Sequence, residues 1–363
     1  MLQKEHMMKR GKGILKFLSG ILFVALAVVP AKAADNQQVF NWRCPTVYVS
    51  TTPDFKTLEE AFENIKLMSN GRLVIRAYPS GALMPMSGVY DAVKAGTVQI
   101  GVSYPNFQFG KNKVWGILND EPFGFRKPES FLQWLYFGGG IEYGNKLANA
   151  DGILWRPGSA TATQTGAFCP TPIRSLEEAK GKSLRIGSGT HMDALKRAGI
   201  TPTNFAIEEI YGALERKVVD MCEWTTPAID WYLKFHEVAP HVIGPAWWQP
   251  AGIADFLINK RELDKLPPDL QAILFTGLRD FSLHGSLKIQ HLDAIYMKKL
   301  KDEAGVTFYR WSEDDLKQLH SYTEETLQGL AAESPMFKEI LESRRAYKKQ
   351  YDEYEKWVKF DEF

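Results

Sequence analysis

The stretch of residues 210–259 constrains the fold of this chain more than any other part of the sequence. Its apolar spacing predicts a short helix that leads into an apolar strand over residues 218–222. Glu223 and Trp224 follow that strand directly, and ligands of open α/β sheets gather at the carboxyl ends of strands. A second aromatic and polar cluster, Trp-Trp-Gln at residues 247–249, comes after the next helical segment. The two clusters indicate the two sides of a ligand-binding cleft.

An earlier segment, residues 89–101, repeats the pattern of residues 210–222. Each begins with Ile or Val followed by Tyr, has Ala two residues after the Tyr, and predicts a helix, a turn and a strand. Two copies of this unit indicate two α/β lobes of similar build. The alternative is that helix-turn-strand units resemble one another by chance.

The first hundred residues or so of the mature chain predict alternating strands and helices. The strands fall near residues 41–50, 72–78 and 98–104, with helical spacing between them. This β-α-β-α-β order predicts a parallel sheet with right-handed crossovers. Asn106 and Phe107 follow the third strand, where they either line a cleft or are ordinary loop residues.

Two later strands carry polar side chains of interest. Residues 161–167 resemble a strand with Gln164 in its middle, and a Gln in a strand usually belongs to a solvated face. A strand over residues 183–186 carries Arg185 beside a Gly-rich loop. A guanidinium there either grips a carboxylate ligand bidentately or forms a structural ion pair with Asp or Glu.

Two long helices are predicted in the last hundred residues. Apolar side chains at helical spacing from Leu270 to Leu292 support a helix that extends almost to Gly305. Such a helix is roughly 50 Å long, which exceeds one small domain, so we expect it to run along both lobes. The last helix, residues 338–360, is either solvated or docks onto a second subunit. Its aromatic side chains are Tyr347, Tyr351, Tyr354 and Trp357.

Composition and missing motifs exclude several function classes. The 363 residues include 44 Lys and Arg against 43 Asp and Glu, so no nucleic-acid partner is expected. The catalytic patterns Gly-x-Ser-x-Gly and His-Glu-x-x-His are missing. Cys44, Cys169 and Cys222 lack metal-site spacing and predict packed thiols without a disulfide framework. A solute receptor fits best, and the alternatives are an ABC-type receptor and a two-lobed periplasmic hydrolase or lyase with Glu223 as base.

The N-terminus predicts a secretory signal peptide over residues 1–33. Lys9, Arg10, Lys12 and Lys16 precede the apolar run of residues 17–29, and Ala-Lys-Ala at residues 31–33 is a cleavage-site pattern. The run is too short to span a bilayer comfortably, although a retained anchor is the alternative. We therefore expect a mature protein that starts near Ala34 and is exported through the Sec pathway to the periplasm.

Taken together, these motifs resemble the DctP-type extracytoplasmic receptors of TRAP transporters, from about Phe40 to the C-terminus. The segments that carry the resemblance are residues 78–81, 92–98, 181–186, 213–224 and 247–260. The Glu-Trp pair, the aromatic-rich Pro-Gly cluster and the long C-terminal helix are most similar to the subgroup that binds α-keto acids and lactate. The resemblance implies an α/β, two-lobed periplasmic binding protein fold with a long lobe-spanning helix and an extended C-terminal helix.

The resemblance also implies a domain division and a mechanism. Residues 34–158 and 250–285 would form lobe I, residues 159–249 and 286–333 lobe II, and residues 334–363 a dimerisation helix. The lobes would close at a hinge on a small α-keto or α-hydroxy acid such as pyruvate or lactate. The receptor would deliver that acid to the TRAP membrane subunits without chemistry, and it would be a homodimer.

Residue roles follow from the same resemblance. Arg185 matches the arginine that forms a salt bridge with the substrate carboxylate. The implied substrate contacts are Asn106, Phe107, Gln164, Arg185, Trp224 and Gln249. The implied cation ligands are Gln164, Glu223, the carbonyl of Trp224, and Gln249. One carboxylate among neutral oxygens suits Na⁺ or Ca²⁺, and the single Glu slightly favours Na⁺.

The sequence departs from the family pattern at three places. Lys217 replaces the usual Gly after the helix, and residues 187–189 form a variant loop. Asn106 replaces an aromatic residue and could donate a hydrogen bond to a hydroxyl or a second carboxylate. The identity of the acid therefore stays open.

Overall fold

The computed structural model describes residues 38–359, so the predicted signal peptide lies outside the described residues. The strands are β1 (Phe40–Pro45), β2 (Leu73–Tyr78), β3 (Ile100–Ser103), β4 (Ile153–Thr161), β5 (Ala167–Cys169), β6 (Ser183–Arg185), β7 (Thr201–Thr203), β8 (Met221–Cys222), β9 (His241–Gly244), β10 (Gly252–Asn259) and β11 (Thr307–Arg310). The first seven helices are α1 (Pro53–Met68), α2 (Val89–Ala95), α3 (Val114–Asn119), α4 (Pro128–Phe137), α5 (Gly140–Ala148), α6 (Leu176–Ala179) and α7 (Met192–Arg197). The others are α8 (Ile207–Glu215), α9 (Pro227–Tyr232), α10 (Phe235–Val238), α11 (Lys260–Leu263), α12 (Pro268–Asp280), α13 (Ser286–Asp302), α14 (Glu313–Glu333) and α15 (Pro335–Val358).

The first three strands do not form the single parallel sheet that their order predicts. β1 and β2 are parallel, as expected. β3 instead pairs antiparallel with β10, which also pairs antiparallel with β4. The prediction of a parallel sheet is therefore wrong for β3, because its partner comes from much later in the chain.

Strand β10 is buried along its whole length and separates two apolar clusters. Ala254, Phe256 and Ile258 pack on the side of α1 and α12, whereas Ile253 and Leu257 pack on the side of α4 and α15. Successive side chains of a strand point to opposite faces, so one short strand serves both layers of helices. A continuous apolar run is the sequence signature of such a strand.

The larger sheet positions the candidate site. Its strand order is β11-β9-β5-β8-β6-β7, and β6 and β8 are parallel neighbours. Their register sets Arg185 opposite Cys222. Glu223, the next residue after β8, therefore emerges beside the end of the strand that carries Arg185.

The long helix expected from residue 268 onward is present, with one short segment that is π-helical rather than α-helical. α12 and α13 are joined through a π-helical turn, Phe281–Gly285. α12 packs against α1, and α13 packs against α9, which follows the larger sheet's strand β8. The helix thus connects the parts of the fold built around the different sheets.

The final helix, α15, has two unlike halves. Ser334 caps it, and its early buried residues are Phe337, Ile340, Leu341 and Arg344. Tyr354 and Trp357 near its end are 60% and 88% exposed. The predicted helix of residues 338–360 is thus confirmed over the described residues, with a start at Pro335.

The helix-turn-strand unit occurs twice, as the sequence repeat predicts. α2 precedes β3, and α8 precedes β8. The residues that end the two helical turns, Gly96 and Lys217, both have left-handed backbones, with φ of 76° and 53°. The three cysteines are buried free thiols, as expected. Among the described residues, none of the helices combines the length and apolar character needed to cross a bilayer.

Candidate functional site

A small cavity of about 40 Å³ lies where the ends of β3, β6 and β8 meet. All the predicted site residues line it: Asn106, Phe107, Gln164, Arg185, Glu223, Trp224 and Gln249. A water needs about 10–15 Å³ by the same measure, so the cavity has room for only a few atoms. A wider space of about 770 Å³ adjoins it and shares Phe107, Arg185 and Asn204.

Arg185 and Glu223 form a buried ion pair in the cavity wall. Their side chains are 4% and 5% exposed, and Arg185 Nη1 lies 3.6 Å from Glu223 Oε1. The backbone N–H of Glu223 donates to the Arg185 carbonyl at 3.0 Å, which continues the β6–β8 pairing by one residue. The strand register therefore delivers both charges to one place.

Most N–H groups of Arg185 already have acceptors. Nε and Nη2 donate to the Phe205 carbonyl at 3.3 and 2.9 Å, and Nη1 donates to the Glu223 carbonyl at 3.2 Å. Asn204 Oδ1 lies 3.5 Å from Nη2. One N–H of Nη1 is left for a ligand, so a bidentate grip would require Arg185 to release a protein acceptor. Arg185 can therefore pair with Glu223 and still direct one N–H toward a ligand.

Glu223 has one satisfied and one unsatisfied oxygen. The Gly187 amide donates to Oε1 at 2.8 Å, whereas Oε2 is buried without a hydrogen-bond partner. Burial raises the pKa of Glu223 to about 7, and the Arg185 charge and the Gly187 amide limit the rise. An unpaired buried carboxylate oxygen is costly, so Oε2 is a position where a positive ligand atom would be stabilised.

Gln164 is not the solvated strand residue that its sequence context suggests. It lies in the connection between β4 and β5 and is 4% exposed. Trp248 Nε1 donates to its Oε1, and its Nε2 donates to the Trp224 carbonyl, both at 2.9 Å. Because an indole N–H is only a donor, Trp248 fixes which end of the amide faces Trp224. One lone pair of Oε1 and one of the Trp224 carbonyl remain.

Asn106 and Phe107 lie on the 3₁₀ turn Pro105–Gln108 that follows β3. Asn106 Oδ1 is buried and has no partner, so the amide offers the cavity an unused acceptor. A Cβ on Gly187 would lie 3.2 Å from Asn106 Nδ2, and this close approach favours the absence of a side chain at residue 187. The ring of Phe107 packs against Tyr104, with centroids 6.0 Å apart.

Sequence reasoning missed part of the cavity wall. The additional lining residues are Tyr104, Asn119, Thr161, Gly187, Asn204 and Thr225. Tyr104, Gly187 and Thr225 adjoin predicted strand ends or predicted site residues. Because ligands gather at the carboxyl ends of strands, the sequence pattern could have indicated them. Asn119 is the last residue of α3, and Asn204 directly follows β7, a strand that the sequence analysis did not predict. Their positions at the cavity depend on tertiary packing.

The oxygen atoms around the cavity fit a hard cation. Glu223 Oε2, the Trp224 carbonyl and the amide oxygens of Gln164 and Gln249 are the candidate donors. Carboxylate, carbonyl and amide oxygens are ligands that Ca²⁺ accepts in flexible geometries. The described residues contain no cluster of three or more His, Cys, Asp and Glu with metal-site geometry. The set therefore argues against a transition metal and for a weakly charged site.

A comparison with protein families identifies the chain. The DctP family, described as bacterial extracellular solute-binding protein, family 7, matches residues 46–334. The chain belongs to the DctP family. The family consists of solute receptors, so this DctP protein is an extracellular receptor rather than an enzyme. The alternative of a hydrolase or lyase with Glu223 as base is set aside.

A curated relative of this DctP protein comes from Nostoc sp. It is named a monocarboxylate 2-oxoacid-binding periplasmic protein. The two sequences are 27% identical over 310 residues, which cover 85% of this chain and 84% of the relative.

Two solved structures resemble this DctP protein closely. One is a TRAP periplasmic solute binding protein from Pseudoalteromonas atlantica with bound sodium and pyruvate, 28% identical with a TM-score of 0.83. The other, from Colwellia psychrerythraea, holds calcium and pyruvate and is 30% identical with a TM-score of 0.83. The similarity covers 88% of this chain and 97% or 98% of the other chains. It confirms the expected two-lobed fold.

Proposed function

We propose that this protein is the extracytoplasmic receptor of a TRAP transporter and binds a small α-keto or α-hydroxy acid together with Na⁺ or Ca²⁺. The observation that carries the proposal is the pairing of buried Arg185 with Glu223, whose Oε2 has no partner, in one small cavity. The hydrogen-bonding and charge requirements of these two groups match a carboxylate and a cation.

Charge balance explains why both ligands are needed. Arg185 and Glu223 together are neutral when Glu223 is ionised, so an acid that enters alone adds an unbalanced buried negative charge. It also comes close to the Glu223 carboxylate, which repels it. A cation between the two carboxylates removes the repulsion and gives Glu223 Oε2 a partner. Na⁺ restores neutrality, and Ca²⁺ leaves one positive charge.

The size of the cavity limits the acid. About 40 Å³ accommodates a small acid better than a sugar or a peptide. The two structural neighbours at 28% and 30% identity hold pyruvate, and the Nostoc relative is named for monocarboxylate 2-oxoacids. The unused Asn106 acceptor would in addition favour an acid with a hydroxyl group beside its carboxylate.

We place the hinge between lobe I, residues 34–158 and 250–285, and lobe II, residues 159–249 and 286–333. Supporting this division, β10 pairs with β3 and β4 although it lies in the sequence between β9 and β11, which belong to the larger sheet. The chain must therefore cross between the sheets more than once. The exported protein would work in the periplasm, deliver the acid to TRAP membrane subunits and form a homodimer through residues 334–363.

A substitution of Arg185 tests the anion site. Arg185→Ala should abolish binding of pyruvate in the presence of Ca²⁺, measured by isothermal titration calorimetry. The loss of one partner of a buried charge pair costs about 2–5 kcal/mol. The matched control is Arg197→Ala, since Arg197 forms an exposed ion pair with Glu325. Unchanged affinity in Arg185→Ala would show that the arginine is purely structural.

Native mass spectrometry of the purified mature protein tests the function itself. The mass should include a small carboxylate and one Na⁺ or Ca²⁺, and denaturation should release the acid for identification. A protein recovered without ligand is then titrated with pyruvate and lactate, each with Na⁺ and with Ca²⁺. A released sugar, peptide or nucleotide would overturn the proposal.

A further inference from the structure

Asp230 is a buried carboxyl group behind the candidate cation site. It belongs to the short helix α9 and is 0% exposed. Its Oδ1 accepts the backbone N–H of Thr225 at 3.2 Å, and its Oδ2 is hydrogen-bonded to Thr165 Oγ1 at 2.6 Å. Both threonines directly follow residues with oxygen atoms at the cavity, Gln164 and Trp224.

The contact with Thr225 determines the direction of a carbonyl. The Thr225 N–H and the Trp224 C=O belong to one planar trans peptide, so they point in opposite directions. A group that fixes the N–H on one side therefore fixes the C=O on the other. On that other side the Trp224 carbonyl accepts Gln164 Nε2 at 2.9 Å.

The contact with Thr165 holds the segment that contains Gln164 in place beside the segment that contains Trp224. The Thr165 N–H donates to the Thr225 carbonyl at 2.9 Å, so the two segments also join through their backbones. Asp230 is hydrogen-bonded to both segments and belongs to neither of them. Gln164, one residue before Thr165, is thereby held at the distance from Trp224 that its amide bridge requires.

We propose that Asp230 is a positioning residue of the cation site, which aims the Trp224 carbonyl and the Gln164 amide into the cavity without touching a ligand. The inference rests on the proposed function, because the cation is part of that function. Partners that orient metal ligands from behind typically change metal affinity by about 10- to 100-fold when they are removed.

The chain offers a matched control in Asp293. This carboxyl group is also buried, and its Oδ1 accepts the Ala228 N–H at 3.0 Å, which is likewise at the start of α9. Removing it perturbs the same helix and takes away no hydrogen bond of the Trp224–Thr225 peptide. A merely structural role for Asp230 predicts equal effects of the two substitutions on ligand binding.

The first readout is the affinity for Ca²⁺ alone, measured by calorimetry on the mature protein. Asp230→Ala should weaken Ca²⁺ binding by about 10- to 100-fold, whereas Asp293→Ala should leave it unchanged. Burial raises the pKa of Asp230 to about 8, so Asn resembles its protonated form. Asp230→Asn should retain most of the affinity, because its oxygen can accept from Thr225 and its NH₂ can donate to Thr165.

The second readout needs no ligand. In ¹⁵N-threonine-labelled protein, the Thr225 amide signal should move upfield in Asp230→Ala and stay in place in Asp293→Ala, because only Asp230 bonds to it. If Asp230→Ala does not fold, Thr165→Val removes the contact between Asp230 and Thr165, and the Ca²⁺ affinity is measured on that variant. It should weaken Ca²⁺ binding to a smaller extent.

The possible failures are distinguishable. Wild-type Ca²⁺ affinity in Asp230→Ala, equal losses in Asp230→Ala and Asp293→Ala, or an unmoved Thr225 signal would each overturn the positioning role alone. Wild-type protein that binds Ca²⁺ neither alone nor with pyruvate would overturn the proposed cation, whatever the spectra show.

Discussion

Lys217 occupies a backbone position that suits glycine. Its φ of 53° is left-handed, and the equivalent residue of the repeated unit, Gly96, has a φ of 76°. A left-handed backbone costs an ordinary L-residue roughly 1–2 kcal/mol, because Cβ approaches the following carbonyl. The conformation is needed to turn the chain from α8 toward β8, so the cost of a lysine there is offset by the rest of the fold.

We therefore expect Lys217→Gly to raise the free energy of unfolding by about 1 kcal/mol. The measurement is urea denaturation of the mature protein, with the midpoint compared at constant slope. Arg216→Gly is the matched control: its φ is −82°, so glycine there adds only flexibility and should destabilise. A lower midpoint for Lys217→Gly would contradict the strain argument.

The first half of helix α15 packs on the core of its own chain, whereas the second half is exposed. Arg344 anchors the first half, since its guanidinium lies 4.6 Å from the ring centre of Phe131 and 5.0 Å from that of Trp134. It also pairs with buried Glu121 at 3.4 Å. Deleting the whole helix would therefore uncover part of the core and confuse instability with loss of a dimer. Substitutions at the exposed end avoid this problem.

The double variant Tyr354→Ser, Trp357→Ser should convert the proposed dimer to a folded monomer. Both side chains are mostly exposed in the single chain, and aromatic residues are enriched at interfaces. Light scattering after size exclusion gives the mass. Phe137→Ser is the control, because Phe137 is an 85% exposed aromatic residue on another helix, α4. A double variant with the mass of a dimer would exclude this end of α15 as the interface.

At the scale of the whole molecule, the cavity is assembled from parts on both sides of the proposed hinge. Asn106 follows β3 of the three-stranded sheet, whereas Arg185 and Glu223 lie on the larger sheet. Outside the cavity, Ser80 Oγ donates to Glu208 Oε1 at 3.1 Å and connects the turn after β2 with α8. Ligand that touches both sides would add to these contacts and favour the closed form.

Small-angle scattering should show this closure. Pyruvate with Ca²⁺ is expected to reduce the radius of gyration of the wild-type protein, since a bound ligand shifts the population only toward the state that it binds better. Arg185→Ala should show no change under the same conditions. An equal radius with and without ligand in wild-type protein that binds pyruvate by calorimetry would contradict hinge closure.

Much of this protein's secondary structure is predictable from the local spacing of its apolar residues. The spacing of apolar residues predicts the long helix, the final helix and the repeated unit, because each depends on neighbours within a few turns of chain. The residues that line the cavity were also largely predictable. Glu223, Trp224, Arg185 and Asn106 all lie at or just beyond the ends of strands, where open α/β sheets bind ligands.

Tertiary structure alone decided the rest, because those features join segments far apart in the chain. The antiparallel pairing of β3 with β10 and the burial of Gln164 between Trp248 and Trp224 have no local signal. The same holds for the Phe205 carbonyl that occupies Arg185. The sequence by itself determined the fold class and predicted seven residues that line the cavity. The packing of distant segments decided which polar atoms of that site are already satisfied and which remain for a ligand.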